Sequence, residues 1–285
     1  MTKQKRVMAI HDISCIGRCS LTVALPIISA AGFDCGVLPT AVLSTHTGGF
    51  TGYTYRDLTS DMQPTMDHWQ SLGIKFDAMY SGFLGSIDQI DIVIGLFDNF
   101  KEQDCFVLVD PVMADNGKLY AVYTTEMVKG MARLCASADI IVPNLTEAAF
   151  LIGEQYVGDK YDESYIHDLL IRLTKLGPGQ IVLTGVSYEP GQLGAACYDN
   201  LTGKFGYYAL EQIDGYFHGT GDVFGSALLC ALLRGANLEE ATRLAVCYTH
   251  KCIILTLDAD TERRYGVRFE KALPDLINML DEIEQ

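Results

Sequence analysis

Short apolar segments alternate with longer segments of helical periodicity along this 285-residue chain. The apolar runs predict strands, and the runs with apolar residues every three or four positions predict helices. Strands are expected at 6–10, 35–39, 76–80, 105–110, 139–142 and 180–184, with helices at 21–31, 87–100, 124–136 and 161–176 between them. This alternation favours βαβ units and a mostly parallel sheet that helices cover on both faces.

The last third of the chain departs from this alternation. Two apolar runs at 192–198 and 204–210 flank a turn at 199–203, which predicts an antiparallel hairpin near the edge of the sheet. Three helices are expected after it, at 223–234, 238–255 and 269–283. No linker, low-complexity tract or internal repeat interrupts the pattern, so residues 1–285 are expected to form a single α/β domain.

The composition of the chain excludes several classes of partner. Its formal net charge is −15, whereas nucleic acid and anionic membranes both require a basic surface. The apolar run after the basic N-terminal residues spans only 7–10, which is too short for the core of a signal peptide. The nine cysteines lack the spacing of a zinc site, so free thiols in a reducing cytoplasm are expected.

Polar residues or glycines follow all six strands of the expected parallel sheet. Ligands of such sheets bind beyond the carboxyl ends of the strands, so the segments 11–14, 44–49, 81–85, 110–115, 143–147 and 184–185 are candidates for a site. Each segment also has a purely structural interpretation. Asp110 before Pro111 fits a turn, Asn144 with Glu147 fits a helix capping box, and 115–117 fits a surface turn.

The segment Gly219-Thr220-Gly221-Asp222 stands directly before an apolar helical run. N–H groups at the start of a helix attract an anion, and Asp222 places a carboxylate at the same point. An anion cradle beside a general base suits the transfer of a phosphoryl group to a hydroxyl. The alternative is a glycine turn with Asp222 as a simple helix cap. No Gly-x-x-x-x-Gly-Lys-[Ser/Thr] segment occurs, which excludes a P-loop enzyme.

Taken together, these segments resemble the ribokinase superfamily, and within it the vitamin B6 kinases. The resemblance covers nearly the whole chain, and its anchors are residues 110–115, 143–147, 183–185 and 219–222, with Asp214 in the expected place before Asp222. The segments 44–47 and 81–85 are more similar to the substrate loops of B6 kinases than to those of sugar kinases. The resemblance implies a three-layer α/β/α ribokinase-like fold with a mostly parallel sheet and a small antiparallel edge hairpin.

The resemblance also implies an activity. It is the ATP- and Mg²⁺-dependent phosphorylation of the 5′-hydroxymethyl group of pyridoxal, pyridoxine or pyridoxamine by a homodimer. Asp222 would act as the general base, and the N–H groups of Gly219, Thr220 and Gly221 would form the anion hole beside ATP. The resemblance further implies that Asn144 and Glu147 hold Mg²⁺, and that Asp110 and Asp115 lie near the metal and the phosphates, with Asp110 toward a monovalent cation such as K⁺. Thr184 would contact an ATP phosphate. The substrate ring would be surrounded by Asp12, Thr47 and Phe83. His46 would either lie beside the ring or be purely structural.

Several residues depart from the pattern of the B6 kinases. Asp12 stands where serine is frequent, and an aspartate there is closer to the hydroxymethylpyrimidine kinases of the same superfamily. A hydroxymethylpyrimidine kinase, or an enzyme with both activities, is therefore the second hypothesis. Ala114, Val142 and His218 also replace more usual residues. His218 is expected to pack rather than to approach a phosphate.

A third hypothesis is a non-catalytic pyridoxal phosphate-binding protein on a kinase scaffold, because fold alone does not settle function. The intact set of base, anion-hole and metal residues argues against it. The hairpin at 192–210 is expected to cover nucleotide or substrate, with small residues at 194–196 and an inert thiol at Cys197. The apolar helix at 21–31 is expected either to form a dimer interface or to pack against the sheet.

Overall fold

A nine-stranded, mostly parallel sheet runs through the part of the chain that the computed structural model describes, residues 3–259 and 262–283. Its strands, with two that form a separate hairpin, are β1 Arg6–Ser14, β2 Asp34–Leu43, β3 Tyr55–Asp57, β4 Phe76–Ser81, β5 Lys101–Val109, β6 Ala114–Asp115, β7 Lys118–Leu119, β8 Ile140–Ile141, β9 Gln180–Val186, β10 Gln192–Asp199 and β11 Lys204–Glu211. Their order in the large sheet is β11-β10-β9-β8-β5-β4-β1-β2-β3. The five pairs from β9 across to β2 are parallel, and the outer pairs are antiparallel.

Helices pack on both faces of this sheet. They are α1 Leu21–Ala30, α2 Thr59–Ser71, α3 Ile87–Phe100, α4 Thr125–Ala136, α5 Leu145–Leu151, α6 Glu163–Thr174, α7 Thr220–Leu233, α8 Leu238–Leu257 and α9 Leu273–Asp281. Alternate residues of β1 separate the two cores: Val7 and Ala9 face the layer of α1, α7, α8 and α9, whereas Met8 and Ile10 face the layer of α2 to α6. The structure therefore has the three-layer ribokinase-like fold.

The strand ends place six polar segments at one edge of the sheet, because all the central strands are parallel. The predicted strand 6–10 continues through Ser14, so His11 and Asp12 belong to the last part of β1 rather than to the loop after it. Helix α7 begins at Thr220 instead of residue 223, so Asp222 lies in its first turn. The expected helix 269–283 consists of a 3₁₀ turn, Phe269–Ala272, and α9, with a proline in the first turn of α9.

Helix α2 and the short strands β3, β6 and β7 have no counterpart in the sequence-based prediction. Helix α2 buries only Met62 and Met66 and contains Pro64, so its apolar periodicity is too weak to identify it. Strand β3 is three residues long, and all three residues are exposed. It pairs with the end of β2 and adds a second antiparallel edge to the sheet.

The hairpin β10–β11 forms an edge of the large sheet, as the sequence predicts. Strand β10 pairs with β9 on one side and with β11 on the other. Its small residues Ala195 and Ala196 are buried in the two cores. Cys197 is buried beside them, and burial raises the pKa of its thiol to about 11. This agrees with the expectation of an inert thiol.

The helix predicted at 21–31 packs against the sheet. Its residues Leu21, Val23, Ala24, Ile27 and Ile28 are buried in the core that α1 shares with β1 and α7. Leu25, by contrast, is partly exposed. Within the described ranges, no helix is both long enough and apolar enough to span a membrane.

Candidate active site

The N-terminus of α7 forms the centre of the site. Gly219, the residue before the helix, has φ = 78°, and a Cβ at this position would lie 2.0 Å from the carbonyl oxygen of Arg18. Only glycine fits both the left-handed conformation and this close approach. The Thr220 hydroxyl donates to the carbonyl of Phe217 and fixes the loop before the helix. The first N–H groups of the helix have no partner within it, so they can bind an anion.

Asp222 lies beside these N–H groups with a side chain that is 16% exposed. Its Oδ2 accepts a hydrogen bond from the Ser20 N–H at 2.8 Å, and its Oδ1 is 3.9 Å from Nδ1 of His11. Burial raises the pKa of Asp222 to about 7; the Ser20 hydrogen bond opposes this rise, and the charge of Asp12 adds to it. A carboxylate with this pKa can accept a proton near neutral pH.

Asp110 and Glu147 bring two further buried carboxylates close to the helix start. A Cβ on Gly221 would lie 3.8 Å from Oδ2 of Asp110, which places that carboxylate directly under the loop. Burial and the charges of Glu147 and Asp222 raise the pKa of Asp110 well above its usual range. Burial likewise raises the pKa of Glu147 to about 7. Of the described lysines and arginines, none forms an ion pair with Asp12, Asp110, Glu147 or Asp222.

Asn144 and Glu147 form the capping box that the sequence suggests as their structural interpretation. The Asn144 amide oxygen accepts from the N–H groups of Thr146 and Glu147, and Oε2 of Glu147 accepts from the Asn144 N–H. Oε1 of Glu147 accepts from the N–H groups of Met113 and Ala114. Every polar atom of these two side chains thus has a protein partner, since the Asn144 amide also donates to the Ala114 carbonyl.

These bonds attach the β6–β7 hairpin to the start of α5. The hairpin turns at Asn116 and Gly117, both with positive φ, and the Gly117 N–H donates to the Thr146 hydroxyl. Asp115 is held on the hairpin by its own hydrogen bonds from Asn116 and by the Tyr216 hydroxyl at 3.3 Å. The segments 113–117 and 143–147 are therefore one structural unit, and this unit places Asp115 over the site.

The acidic residues of this site are better suited to Mg²⁺, which keeps water ligands, than to a metal ion whose ligands all come from the protein. Nowhere in the described ranges do three His, Cys, Asp or Glu side chains converge on one point as a metal site would require. The Asp110 carboxylate, however, accepts no hydrogen bond from another described residue and lies near the carboxylates of Glu147 and Asp222. Mg²⁺ is usually held by one or two carboxylates together with waters and phosphates. Asp110 fits a direct ligand of this kind, and Glu147 fits a contact through water.

Two of the predicted substrate residues, Asp12 and Phe83, lie at the ends of β1 and β4. Asp12 is buried and its Oδ2 accepts from the Ser14 hydroxyl; burial raises the pKa of Asp12. Phe83 packs edge to face on Tyr123, with 6.0 Å between the ring centroids. Thr47 is exposed on the loop after β2, and no described contact joins it to Asp12 or Phe83.

His46 uses both of its ring nitrogens in bonds to the backbone. Nδ1 accepts from the Gly48 N–H, so Nε2 carries the proton and donates to the Arg264 carbonyl at 2.6 Å. The ring packs on Phe50 and on His218, which agrees with the expected packing role of His218. These contacts favour the structural interpretation of His46.

Thr184 lies in β9 next to Asn144, with which it forms an isolated bridge. Its hydroxyl is 3.4 Å from the carbonyl of Pro143. The structure thus brings Asp12, Asp110, Asp115, Asn144, Glu147, Thr184 and 219–222 to one edge of the sheet. Sequence reasoning gave no role to His11 or to the Ser20 N–H, although His11 stands in a segment that it selected. Their contact with Asp222 joins residues that are about 200 positions apart, which no local pattern reveals.

Proteins similar to this chain include kinases of known fold. The chain is 36% identical to a protein from Bacteroides thetaiotaomicron, provisionally named a phosphomethylpyrimidine kinase, whose crystal structure with pyridoxal covers 96% of each chain with a TM-score of 0.92. A pyridoxal kinase from Lactobacillus plantarum is 28% identical, with a TM-score of 0.90 over 98% of this chain and 99% of that one. A pyridoxine/pyridoxal/pyridoxamine kinase from Bordetella avium is 27% identical over 90% of this chain and 86% of its own length.

The family model for phosphomethylpyrimidine kinase matches residues 36–265, from β2 to the segment that holds His46. The matched range includes the hairpin with Asp115, the capping box of α5 and the complete start of α7. It leaves out β1, α1 and the first two residues of β2 at one end, and the 3₁₀ turn and α9 at the other. The chain therefore belongs to the phosphomethylpyrimidine kinase family.

Proposed function

We propose that this kinase transfers the γ-phosphoryl group of ATP to the 5′-hydroxymethyl group of pyridoxal, pyridoxine or pyridoxamine. The observation that carries the proposal is the position of Asp222, a carboxylate that is only 16% exposed and lies in the first turn of a long helix. Its pKa of about 7 lets it accept the hydroxyl proton near neutral pH. The pyridoxal in the structure of the 36% identical relative supports the substrate class.

In the proposed reaction, the substrate oxygen forms a bond to the γ-phosphorus while the bond from that phosphorus to the β,γ-bridging oxygen breaks. Asp222 takes the proton that the hydroxyl loses. The N–H groups of Gly219, Thr220 and Gly221 stabilise the negative charge on the transferred group. Asp110, Asp115 and Thr184 are assigned to the nucleotide side, and Asp12 and Phe83 to the substrate ring. Mg²⁺ would neutralise phosphate charge beside Asp110 and Glu147.

A second candidate function is phosphorylation of hydroxymethylpyrimidine. Asp12 favours it, because a buried carboxyl can bond either a ring nitrogen or a ring substituent. The family model carries the name of a pyrimidine kinase, which also supports it. The two functions differ only in the ring that the pocket of Asp12 and Phe83 receives, and the ratio of kcat/KM values decides between them.

We further propose that the enzyme uses a monovalent cation near Asp110, forms a homodimer and works in the cytoplasm. The proposed cation site is supported by carboxylates that form no ion pair with a described lysine or arginine. All nine cysteines are free thiols, which supports a reducing compartment. The homodimer rests on the family resemblance.

A turnover assay coupled to ADP formation tests the proposal with four substrates, pyridoxal, pyridoxine, pyridoxamine and hydroxymethylpyrimidine, each with and without Mg²⁺. We expect Mg²⁺-dependent turnover of at least one B6 vitamer. Asp222→Asn should lower kcat by roughly 10²- to 10⁴-fold, the usual contribution of a general base. Turnover of the pyrimidine alone would instead support the second function. Normal turnover by the Asn variant would disprove the role of Asp222.

A further inference from the structure

His11 is a fully buried histidine whose two ring nitrogens have no hydrogen-bond partner among the described residues. Buried polar side chains are nearly always paired, so two unpaired nitrogens on one ring require an explanation. The ring packs edge to face on Tyr80, with the ring centroids 4.4 Å apart. The Tyr80 and Ser226 hydroxyls are also buried, and they lie close to each other. These groups form a polar layer between β1, β4 and α7, beneath the start of α7.

The backbone around His11 fixes the direction of its ring. A Cβ on Gly82, the residue after β4, would lie 2.3 Å from Nδ1 of His11, so only glycine leaves room for the imidazole. Nδ1 faces Oδ1 of Asp222 at 3.9 Å. The other oxygen of that carboxylate already accepts the Ser20 N–H at 2.8 Å. One oxygen of the carboxylate thus has a donor, and the other faces the His11 ring without a hydrogen bond.

We propose that His11 is a positioning residue, whose Nδ1–H donates a hydrogen bond to Oδ1 of Asp222 when the substrates are bound. This inference rests on the proposed function, because it assigns His11 to the base of that reaction. Catalytic hydrogen bonds are often long in the free enzyme and tighten in the complex. A displacement of about 1 Å at the first turn of α7 brings the two atoms within hydrogen-bond distance.

The surroundings of His11 keep its ring neutral. Burial lowers the pKa of His11 to about 3, so the imidazole carries one proton at physiological pH. Oδ1 of Asp222 lies 3.9 Å from Nδ1 and is an acceptor, which favours the tautomer with the proton on that nitrogen. A neutral donor holds the carboxylate without competing for the proton that the base must accept. Ser20 and His11 together fix the orientation of the Asp222 carboxyl group relative to the substrate hydroxyl.

Replacement of His11 by two amides of different length tests this role. The amide nitrogen of Asn occupies the place of Nδ1, whereas that of Gln occupies the place of Nε2. We expect His11→Asn to keep kcat within about threefold, and His11→Gln and His11→Phe to lower kcat by roughly tenfold to a hundredfold, as for a misplaced catalytic group. KM values for ATP and the vitamer should change less than kcat, because His11 touches neither.

Ile10→Val is the matched control, since it loosens the core beside His11 in the same strand without touching Asp222. It should keep the kcat of the wild type, and thermal unfolding of each variant shows which ones are folded. The inference is overturned if folded His11→Phe keeps its kcat, or if His11→Asn loses as much activity as His11→Gln. Should the Phe variant fail to fold, the comparison of Asn with Gln decides alone.

The same experiment separates failure of the inference from failure of the proposed function. A wild-type protein that phosphorylates none of the four substrates refutes the proposed function and, with it, the assignment of His11. A wild type that is active, an Asp222→Asn variant that is inactive and a His11→Phe variant that is fully active refute only the inference.

Discussion

At the scale of single residues, Gly219 shows how local sequence and distant structure combine in the anion site. A glycine before a helix is a local signal, and the sequence identifies it. What makes it irreplaceable is the Arg18 carbonyl, which lies 2.0 Å from the place of a Cβ and comes from a loop about 200 residues earlier. The motif was therefore predictable, but the contact that fixes its position was not.

We expect Gly219→Ala to be more damaging than the same change at Gly235. Both glycines have positive φ, 78° and 97°, but nothing lies within 4 Å of a Cβ on Gly235. Gly235→Ala should cost only the backbone term of about 1–2 kcal/mol. Gly219→Ala adds a clash with a backbone carbonyl and displaces the N–H groups of the anion hole. Urea unfolding and kcat measure the two effects. Equal losses for both variants would contradict this account.

At the scale of elements, the sequence predicts the strands and helices with strong periodicity and misses those that are polar or short. The central strands and α3, α4, α7 and α8 follow from their apolar patterns. Helix α2 is not predicted from the sequence, because a partly solvated helix with an internal proline has little periodicity in its apolar residues. The capping box of α5 was visible as a pattern, but only the structure shows that it also holds the β6–β7 hairpin.

The capping box of α8 offers a matched test of this second role. Asn237 and Glu240 form the same motif as Asn144 and Glu147, but on an exposed helix start without a hairpin. Serine caps a helix about as well as asparagine, so Asn237→Ser should change stability by less than about 0.5 kcal/mol. Asn144→Ser should cost about 1 kcal/mol more, because the buried Ala114 carbonyl loses its donor.

Chemical denaturation measures this difference, and turnover measures its consequence. Asn144→Ser should also raise KM for ATP, because the hairpin that carries Asp115 is less firmly attached, whereas Asn237→Ser should not. If the two substitutions have the same effect on both quantities, the box of α5 is only a helix cap.

At the scale of the whole molecule, the alternation of strands and helices predicts the three layers and places the polar residues at the strand ends. It does not predict the order of the strands, which depends on packing between distant segments. The site at the sheet edge gathers three buried carboxylates and the partly buried Asp222 in an already acidic protein. Charges of one sign destabilise a compact state when they are buried without counter-charges. The arrangement that supports the proposed chemistry therefore lowers the stability of the fold.

The pH dependence of protein stability should reveal this destabilisation by the carboxylates of the site. The pKa of Asp222 is about 7 in the folded state, against an ordinary value of 3.8. Between these two values the folded protein keeps a proton that the unfolded chain releases, so stability falls as the pH rises from about 4 to 7. Asp222→Asn removes the charge but can still accept the Ser20 N–H. The variant should therefore match the wild type near pH 4 and be more stable above pH 7.

The gain above pH 7 should reach at most a few kcal/mol, since each unit of pKa shift corresponds to about 1.4 kcal/mol. Thermal unfolding at pH 5 and pH 8 gives the comparison, with Asp98→Asn as the control, because Asp98 is exposed on α3. The control should change the Tm at neither pH. An Asp222→Asn variant that is no more stable than the wild type at pH 8 would show that the charged carboxylate does not destabilise the free enzyme. A variant that gains stability while losing turnover would show that the carboxylate required for turnover destabilises the folded protein.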